Sequence, residues 1–340
     1  MKNSIGHSVI LTLAGESHGQ AVCAILDGLA PGLRVDEAFI AEQLSHRRPS
    51  GPADTARREQ DEFKIVSGVL DGHTTGAPIC IMIPNTDVRS ADYASFDGLA
   101  RPSHADLAAH VRYGGFEDRR GGGHFSGRIT VGIVAAGAIA LDALRSCGIS
   151  IETRVLSCGG ASGDDPAAVE AAILAAKAEG DSVGGKIQTV ITGVPAGVGD
   201  PWFTSLEGEL AAAAFSIGGV KGVEFGDGFA LAGMKGSEAN DSFYMDEGVV
   251  KTRTNHNGGI NGGLSNGMPI VFNCAVKPTP SIAKPQQTVN FLTGEEATLE
   301  LHGRHDPAIV RRICPVMTAL SAIVICDMLA LRFGTDWIAG

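Results

Sequence analysis

Residues 119–128, RRGGGHFSGR, run without a break into residues 129–141, ITVGIVAAGAIAL. Three glycines followed by a long apolar run read as a loop that opens a buried helix, here over 126–147. Exposed N–H groups at such a helix start attract anions. Arg119, Arg120, His124 and Arg128 surround the loop, so packing alone explains it poorly. A second apolar run, Ile313–Cys326, ends at Asp327, as the first ends at Asp142. Both runs are shorter than the ~18 residues that mark a membrane-spanning candidate. They predict core helices, the second from Asp306-Pro307 to about Phe333 with a kink at Pro315.

Working outward, residues 8–14 and 22–27 read as strands around a turn at Gly15–Gly19, and 63–70, 79–84, 269–277 and 288–293 as further strands. Asp36 is placed to cap a helix over 36–46. Ser103 with Asp106, and Thr204 with Glu207, resemble capping boxes opening two more helices. Asp165-Pro166 starts another, with Pro at the first helical position. Strands and helices come in blocks without a βαβα rhythm, which predicts an α+β fold rather than a doubly wound sheet. No linker or low-complexity tract divides the chain, so residues 1–340 are expected to form one large domain. Neither a GxGxxG after a strand nor a GxxxxGK[ST] occurs, so a Rossmann site and a P-loop are unsupported.

Glycine stands out at 46 of 340 residues, nearly twice the ~7% of an average protein. The pairs cluster beside His, Arg and Asn, where tight turns let backbone approach a ligand. A net charge of −11 disfavours nucleic acid as a partner, while local Arg clusters can still bind a small anion. Seven cysteines without a CxxC pair read as reduced thiols in a cytoplasmic protein. No HExxH or spaced Cys/His set suggests a metal, and the N-terminal apolar run from Val9 to Ala14 is too short for a signal peptide.

Several constellations could carry chemistry. His18, in GESHG at 15–19, is a candidate general acid; the plain alternative is a turn histidine with its bonds satisfied. Arg47-Arg48 and Arg57-Arg58 suit carboxylates and phosphates, although a solvated charged face would look the same. His104, in RPSHAD at 101–106, lies at a helix start where an anion would sit. The run NHNGGINGG at 255–263, with Lys277-Pro278-Thr279-Pro280-Ser281 after it, offers donors for a polar ring or a phosphate. In HGRHDP at 302–307, Asp306 could be a simple helix cap, but Arg304 and His305 have no such structural reason.

Taken together, GESHG, DGLAPG, RRPSG, TARRE, TTGAPI, NTD, RPSHADL, YGGFEDRRGGG, FSGR, AGVGDPWF, KGVEFGDGF, NHNGGINGG, VKPTPSI and GRHDP resemble the chorismate synthase family, in its order and over nearly the whole chain. The resemblance implies a β-α-β sandwich of long helices between two antiparallel sheets, assembled as a homotetramer. It implies a carbon–oxygen lyase that converts 5-enolpyruvylshikimate 3-phosphate to chorismate and phosphate with reduced FMN (FMNH2), in the shikimate pathway of aromatic amino-acid biosynthesis. His18 would then protonate the departing phosphate and His104 would serve the reduced flavin. Ser17, Ser126 and Asp306 would support proton relay, and Arg47, Arg48, Arg128 and Arg304 would hold substrate anions. The flavin contacts would be His124, Phe125, Ser126, Gly218, Gly219, Gly262, Lys277, Pro278, Thr279, Pro280, Ser281 and Arg304. No nicotinamide motif is visible, so an external flavin reductase, rather than direct use of NADPH, is the expected source of electrons.

The chain departs from the family's usual residues at His124, Phe125, Gly127, Ile129 and Thr318, and one residue is missing between Pro49 and Arg57. A flavoprotein oxidoreductase acting on another phosphorylated acid, and a non-catalytic anion- or flavin-binding paralogue, are the alternative readings.

Overall fold

The computed structural model describes residues 2–48, 51, 61–86, 98–301 and 306–339. Two five-stranded sheets, antiparallel throughout, enclose a layer of helices. The first has the order Ser4–Ile5, Ile10–Ala14, Ala21–Asp27, Ile79–Pro84, Lys64–Ser67. The second has the order Val220–Phe225, Ile270–Val276, Gly185–Thr192, Ser150–Cys158, Ala161–Ser162. Alternation sets each inner face: Val22, Ala24 and Leu26 are buried with Ile79, Ile81 and Ile83 in the first sheet, and Ile187 with Ile191 in the second. Burying an Ile or Leu side chain contributes about 1.5–3 kcal/mol, so these rows commit each sheet to one orientation.

The helices, in chain order, are α1 (Glu37–Ser45), α2 (Asp106–Tyr113), α3 (Thr130–Ser146), α4 (Pro166–Ala178), α5 (Leu206–Ser216), α6 (Gly236–Ala239) and α7 (Val310–Phe333). Helix α3 packs on the first sheet, α7 on the second, and the two pack on each other. They approach closely because Gly137 faces Ala319, where a Cβ would lie 2.5 Å from the Ala319 Cβ. The α3 segment with its leading turn, Gly127–Ser146, and α7 are long and apolar enough to cross a membrane. Their most apolar windows are 78% and 83% buried in the protein, so they are core helices, as the sequence predicts. The buried Asp327 on α7 accepts hydrogen bonds from the backbone N–H groups of His7, Ser8 and Val9 at 2.9, 2.6 and 2.8 Å. This charge-assisted set pins the first sheet's edge to the helix layer.

The α+β sandwich expected from the sequence is the fold observed. Several local details differ. The stretch 63–70 is not one strand, because the chain turns at Gly68 (φ +81°), where a Cβ would meet the Ile79 Cα at 2.7 Å. The predicted strand 288–293 lies at Gln286–Asn290. Ser103 does not cap α2: it has φ +61°, and the helix begins at Asp106 without a side-chain cap. The cap of α5 is Ser205, not Thr204, and its side chain accepts from the Gly208 N–H. Helix α3 starts at Thr130 after two short 3-10 turns, since Gly121, Gly122 and Gly123 all have positive φ. Helix α7 starts at Val310, and Asp306 is not its cap.

Candidate active site

The three glycines of RRGGGH form a floor on which two histidines converge. Gly121 has φ +61°, and a Cβ there would lie 2.0 Å from the His18 Nδ1 and Cε1 atoms and 3.0 Å from the Ser17 Oγ. At Gly122 (φ +81°) a Cβ would lie 3.5 Å from the His104 Cε1 and 3.7 Å from its Nε2. At Gly121 the missing side chain admits the His18 ring, while at Gly122 it is the left-handed backbone that calls for glycine, beside a His104 ring at ordinary contact distance. Backbone bonds hold the GESHG turn in place: Ser17 N–H donates to Gly123 O at 3.1 Å, and His124 Nδ1 donates to Gly15 O at 2.9 Å. Ser17 and His18 are buried. The departure at His124 thus supplies a clasp between the His18 turn and the glycine loop.

His104 is held by charge. Its Nδ1 donates to Asp106 Oδ1 at 2.7 Å, since a carboxylate can only accept. Arg101 donates to the same carboxylate through Nε (2.8 Å to Oδ2), Nη2 (2.7 Å to Oδ1) and its backbone N–H (3.0 Å to Oδ2). Burial pushes the Asp106 carboxyl up, but the hydrogen bonds and charges of Arg101 and His104 outweigh it and hold it well below the usual carboxylate range. Lys277 Nζ donates to the Ser103 carbonyl oxygen, joining the 277–281 segment to the His104 turn.

A buried ionic chain continues from the floor. Asn85 donates to Glu16 O at 3.0 Å and Gly19 O at 2.9 Å, and accepts from Arg128 Nε at 2.9 Å. Arg128 pairs through Nη1 with Asp61, whose other oxygen takes Arg47 Nη1 at 3.5 Å; all three are buried. Arg312 then donates to Arg47 O at 3.1 Å and to Asp306 Oδ2 at 2.6 Å. The Asp61 carboxylate between Arg128 and Arg47 holds both guanidinium forks in fixed orientations. Across the floor, Asp118 accepts from Arg120 at 2.8 Å through each oxygen. The Arg120 hydrogen bond, with a smaller contribution from His18, lowers its carboxyl.

Of the residues singled out in the sequence, the fold brings Ser17, His18, His104 and His124 to the glycine loop and links Arg47, Arg128 and Asp306 through the ionic chain. Ser126 sits between the two 3-10 turns, where its side chain accepts from the Arg128 N–H at 3.3 Å. Phe125 is exposed and meets Tyr113 edge-on at 6.1 Å, and Arg48 is exposed. Gly219 accepts at its carbonyl from the Lys277 N–H, beside Gly218, and Ser182 Oγ donates to Thr279 O. Among the described residues no hydrogen bond joins Gly262 to either histidine; it turns a separate hairpin between Ile260–Asn261 and Leu264–Ser265. Arg57, Arg58, Arg304 and His305 lie outside the described residues. Ile129 is a core side chain, and Thr318 joins a hydroxyl ladder to Thr153 and Thr189 at 2.9 Å each. Among the described residues no group of three or more His, Cys, Asp or Glu side chains converges as metal ligands.

The sequence reading passed over Asn85, Asp61, Arg101, Asp106 and Arg312 as site residues. Asn85 was visible within NTD, and Arg101 and Asp106 flank His104 in RPSHAD. Asp61 and Arg312 carried no signal, because only the tertiary fold sets them beside Arg47.

Residues 9–330 match the family model described as chorismate synthase. The chain is 45% identical over 355 residues to the chorismate synthase of Aeropyrum pernix, covering 97% of this chain and 93% of that one. It is 45% identical over 330 residues to that of Chitinophaga pinensis, covering 97% of each. A crystal structure of chorismate synthase superposes with a TM-score of 0.77 at 28% identity, covering 98% of this chain and 95% of the other. A full-length family match, shared sequence along both chains and a shared sandwich together establish that this chain belongs to the chorismate synthase family and is an enzyme, a lyase acting on a phosphate-bearing substrate.

Proposed function

We propose that this enzyme converts 5-enolpyruvylshikimate 3-phosphate to chorismate and phosphate by anti-1,4 elimination, with reduced FMN as cofactor. The observation that carries the reading is the meeting of His18 and His104 over one glycine floor, beside the buried guanidiniums of Arg47 and Arg128. Two carboxylates and a phosphate give the substrate roughly three to four negative charges, the phosphate bringing about −1.5 to −2. Arg47, Arg128, Arg48 and Arg304 are the cations assigned to them. His18 holds a proton for the departing phosphate oxygen, and a positioned general acid contributes typically ~10²–10⁴-fold. His104 holds or delivers a proton at the flavin, and Ser17, Ser126 and Asp306 line the relay.

The residues on the His104 side fit an anionic, planar cofactor. Lys277 brings a cation, Gly122 leaves room above the ring, and the buried Thr279 hydroxyl has no hydrogen-bond partner among the described residues. His124, Phe125, Gly218, Gly219, Gly262 and the rest of Lys277 to Ser281 complete the assigned contacts. Reduced flavin supplies, when bound, electron density that eases phosphate loss and is recovered as the hydrogen departs. The hydrogen leaves an unactivated carbon, where no side-chain base suffices alone.

Trp202, Phe203, Phe229 and Phe243 stand largely exposed, which supports assembly into the homotetramer. Seven free thiols support a cytoplasmic setting. The test is anaerobic incubation with reduced FMN and 5-enolpyruvylshikimate 3-phosphate. Chorismate and phosphate should form in equal amounts without net flavin oxidation. Net oxidation coupled to turnover would mark an oxidoreductase, and binding without turnover a non-catalytic paralogue. Oxidised FMN with NADPH and no added reductase should give no steady turnover, because an external flavin reductase is the expected electron source.

A further inference from the structure

We propose that Asp106, clamped by Arg101, is a positioning residue that fixes His104 in the tautomer with its proton on Nδ1, leaving Nε2 as the nitrogen that exchanges protons above the glycine floor. The proposal rests on the functional reading of His104 above, but its first test does not.

Hydrogen-bond counting leads to it. Asp106 Oδ2 takes two donors, the Arg101 backbone N–H and Nε. Oδ1 takes two more, Arg101 Nη2 and His104 Nδ1. Arg101 Nη2 also lies 3.0 Å from His104 Nδ1. A guanidinium is always a donor, so it offers the imidazole no acceptor. Oδ1 is then the acceptor for the Nδ1 proton, and neutral His104 carries that proton on Nδ1. Its Nε2 faces Gly122, and among the described residues no hydrogen bond is made to it. The partner of the second ring nitrogen decides which nitrogen is basic. From the other side, the Lys277 bond to Ser103 O holds the turn in its left-handed conformation. The ring is therefore oriented before any ligand arrives.

Asp106→Asn makes a sharp test. Both groups on Oδ2 can only donate, whereas on Oδ1 one of the two, His104 Nδ1, can switch to accepting, so the asparagine oxygen belongs at the Oδ2 position and its NH2 group falls opposite His104 Nδ1 and Arg101 Nη2. That group can only donate, so His104 must accept at Nδ1 and move its proton to Nε2. Histidine ring ¹⁵N shifts of the full-length protein, with His104 assigned from His104→Gln, should show an Nδ1-protonated neutral ring in the wild type. In Asp106→Asn the proton should appear on Nε2. Turnover should show kcat lowered roughly 10²-fold with KM within about twofold, the mark of a misoriented proton carrier rather than a lost binding contact. Asp106→Glu, which keeps the acceptor, should recover to within about tenfold of wild type.

A neutral wild-type ring protonated on Nε2 and not on Nδ1 would overturn the proposal without any variant. So would Asp106→Asn with unchanged tautomer and unchanged kcat. If the wild type makes no chorismate, the functional reading fails, and the ring shifts still decide what Asp106 does.

Discussion

Two His–Asp pairs in this molecule lie beside glycine-rich loops, and their surroundings differ. At the floor, His104 bonds Asp106 at 2.7 Å while its other edge faces Gly122, with His18 over the adjoining Gly121. In the run 255–263, His256 bonds Asp227 at 2.5 Å, but the surrounding polar groups are spent on the fold. Asp241 accepts from the His256 and Asn257 N–H groups, the Asn257 amide and the Thr254 hydroxyl, and Asp227 N–H donates to His256 O. The glycines differ likewise. Gly121 is glycine because the His18 ring occupies the place of its Cβ. Gly258 is glycine because a Cβ would lie 2.4 Å from the Gly226 backbone nitrogen. Residue types alone do not separate the His104–Asp106 pair, assigned to the reaction, from a structural knot. What separates them is the neighbourhood: the polar groups around His256 bond one another, whereas His104 shares its glycine floor with a second histidine.

The largest expected effect tests that contrast directly. His104→Ala should lower kcat by about 10²–10⁴-fold, the range for a positioned acid or base, with FMN affinity little changed. His256→Ala should leave kcat within about threefold and register in stability instead. Equal losses of kcat at both sites would erase the distinction. Gly121→Ala comes next. Its Cβ would enter the His18 ring, so the ring must shift, and a displacement near 1 Å can cost about 10²-fold in rate. Gly127→Ala is the control, because a Cβ there meets nothing within 4 Å. Steady-state rates for the pair decide it; a fully active Gly121→Ala would remove His18 from the chemistry.

How far the sequence anticipates all this depends on the element. The two apolar runs predicted core helices because each is apolar around its circumference, and both lie between the sheets. The second sheet was only partly legible. Ile270–Val276 stood out as an apolar run, whereas Ser150–Cys158 alternates buried Ile151 with Glu152 and Arg154 and was passed over. Its period of two was there to read, but charged residues on the outer face diluted it. At the site, His18 and His104 were found through short motifs whose spacing is local. Asp61 and Arg312 reach Arg47 across 14 and 265 residues, and no local pattern announces such a meeting. Ser103 shows the reverse error: a capping-box pattern was present, but Arg101 took the Asp106 carboxylate and left the serine in a left-handed turn.

The smallest expected effect lies in the knot itself. Burial pushes the Asp241 carboxyl up, but bonds from Asn257, Thr254 and His256 outweigh it, so its folded pKa lies below its unfolded value of about 3.9. A depressed folded pKa contributes stability that is fully present above the unfolded pKa and is lost as pH falls through the folded one. Asp241→Asn should therefore cost roughly 1–2 kcal/mol at neutral pH, the worth of charge-assisted bonds at a partly exposed loop. Urea midpoints of wild type and variant should stay a constant distance apart from pH 7 to about 5 and converge below about 4. Turnover of the folded variant should match the wild type. A gap that widens on acidification would mean that the carboxylate is not what the loop depends on. A loss of kcat comparable to that of His104→Ala would place the 255–263 loop in the reacting centre and collapse the contrast between the two His–Asp pairs.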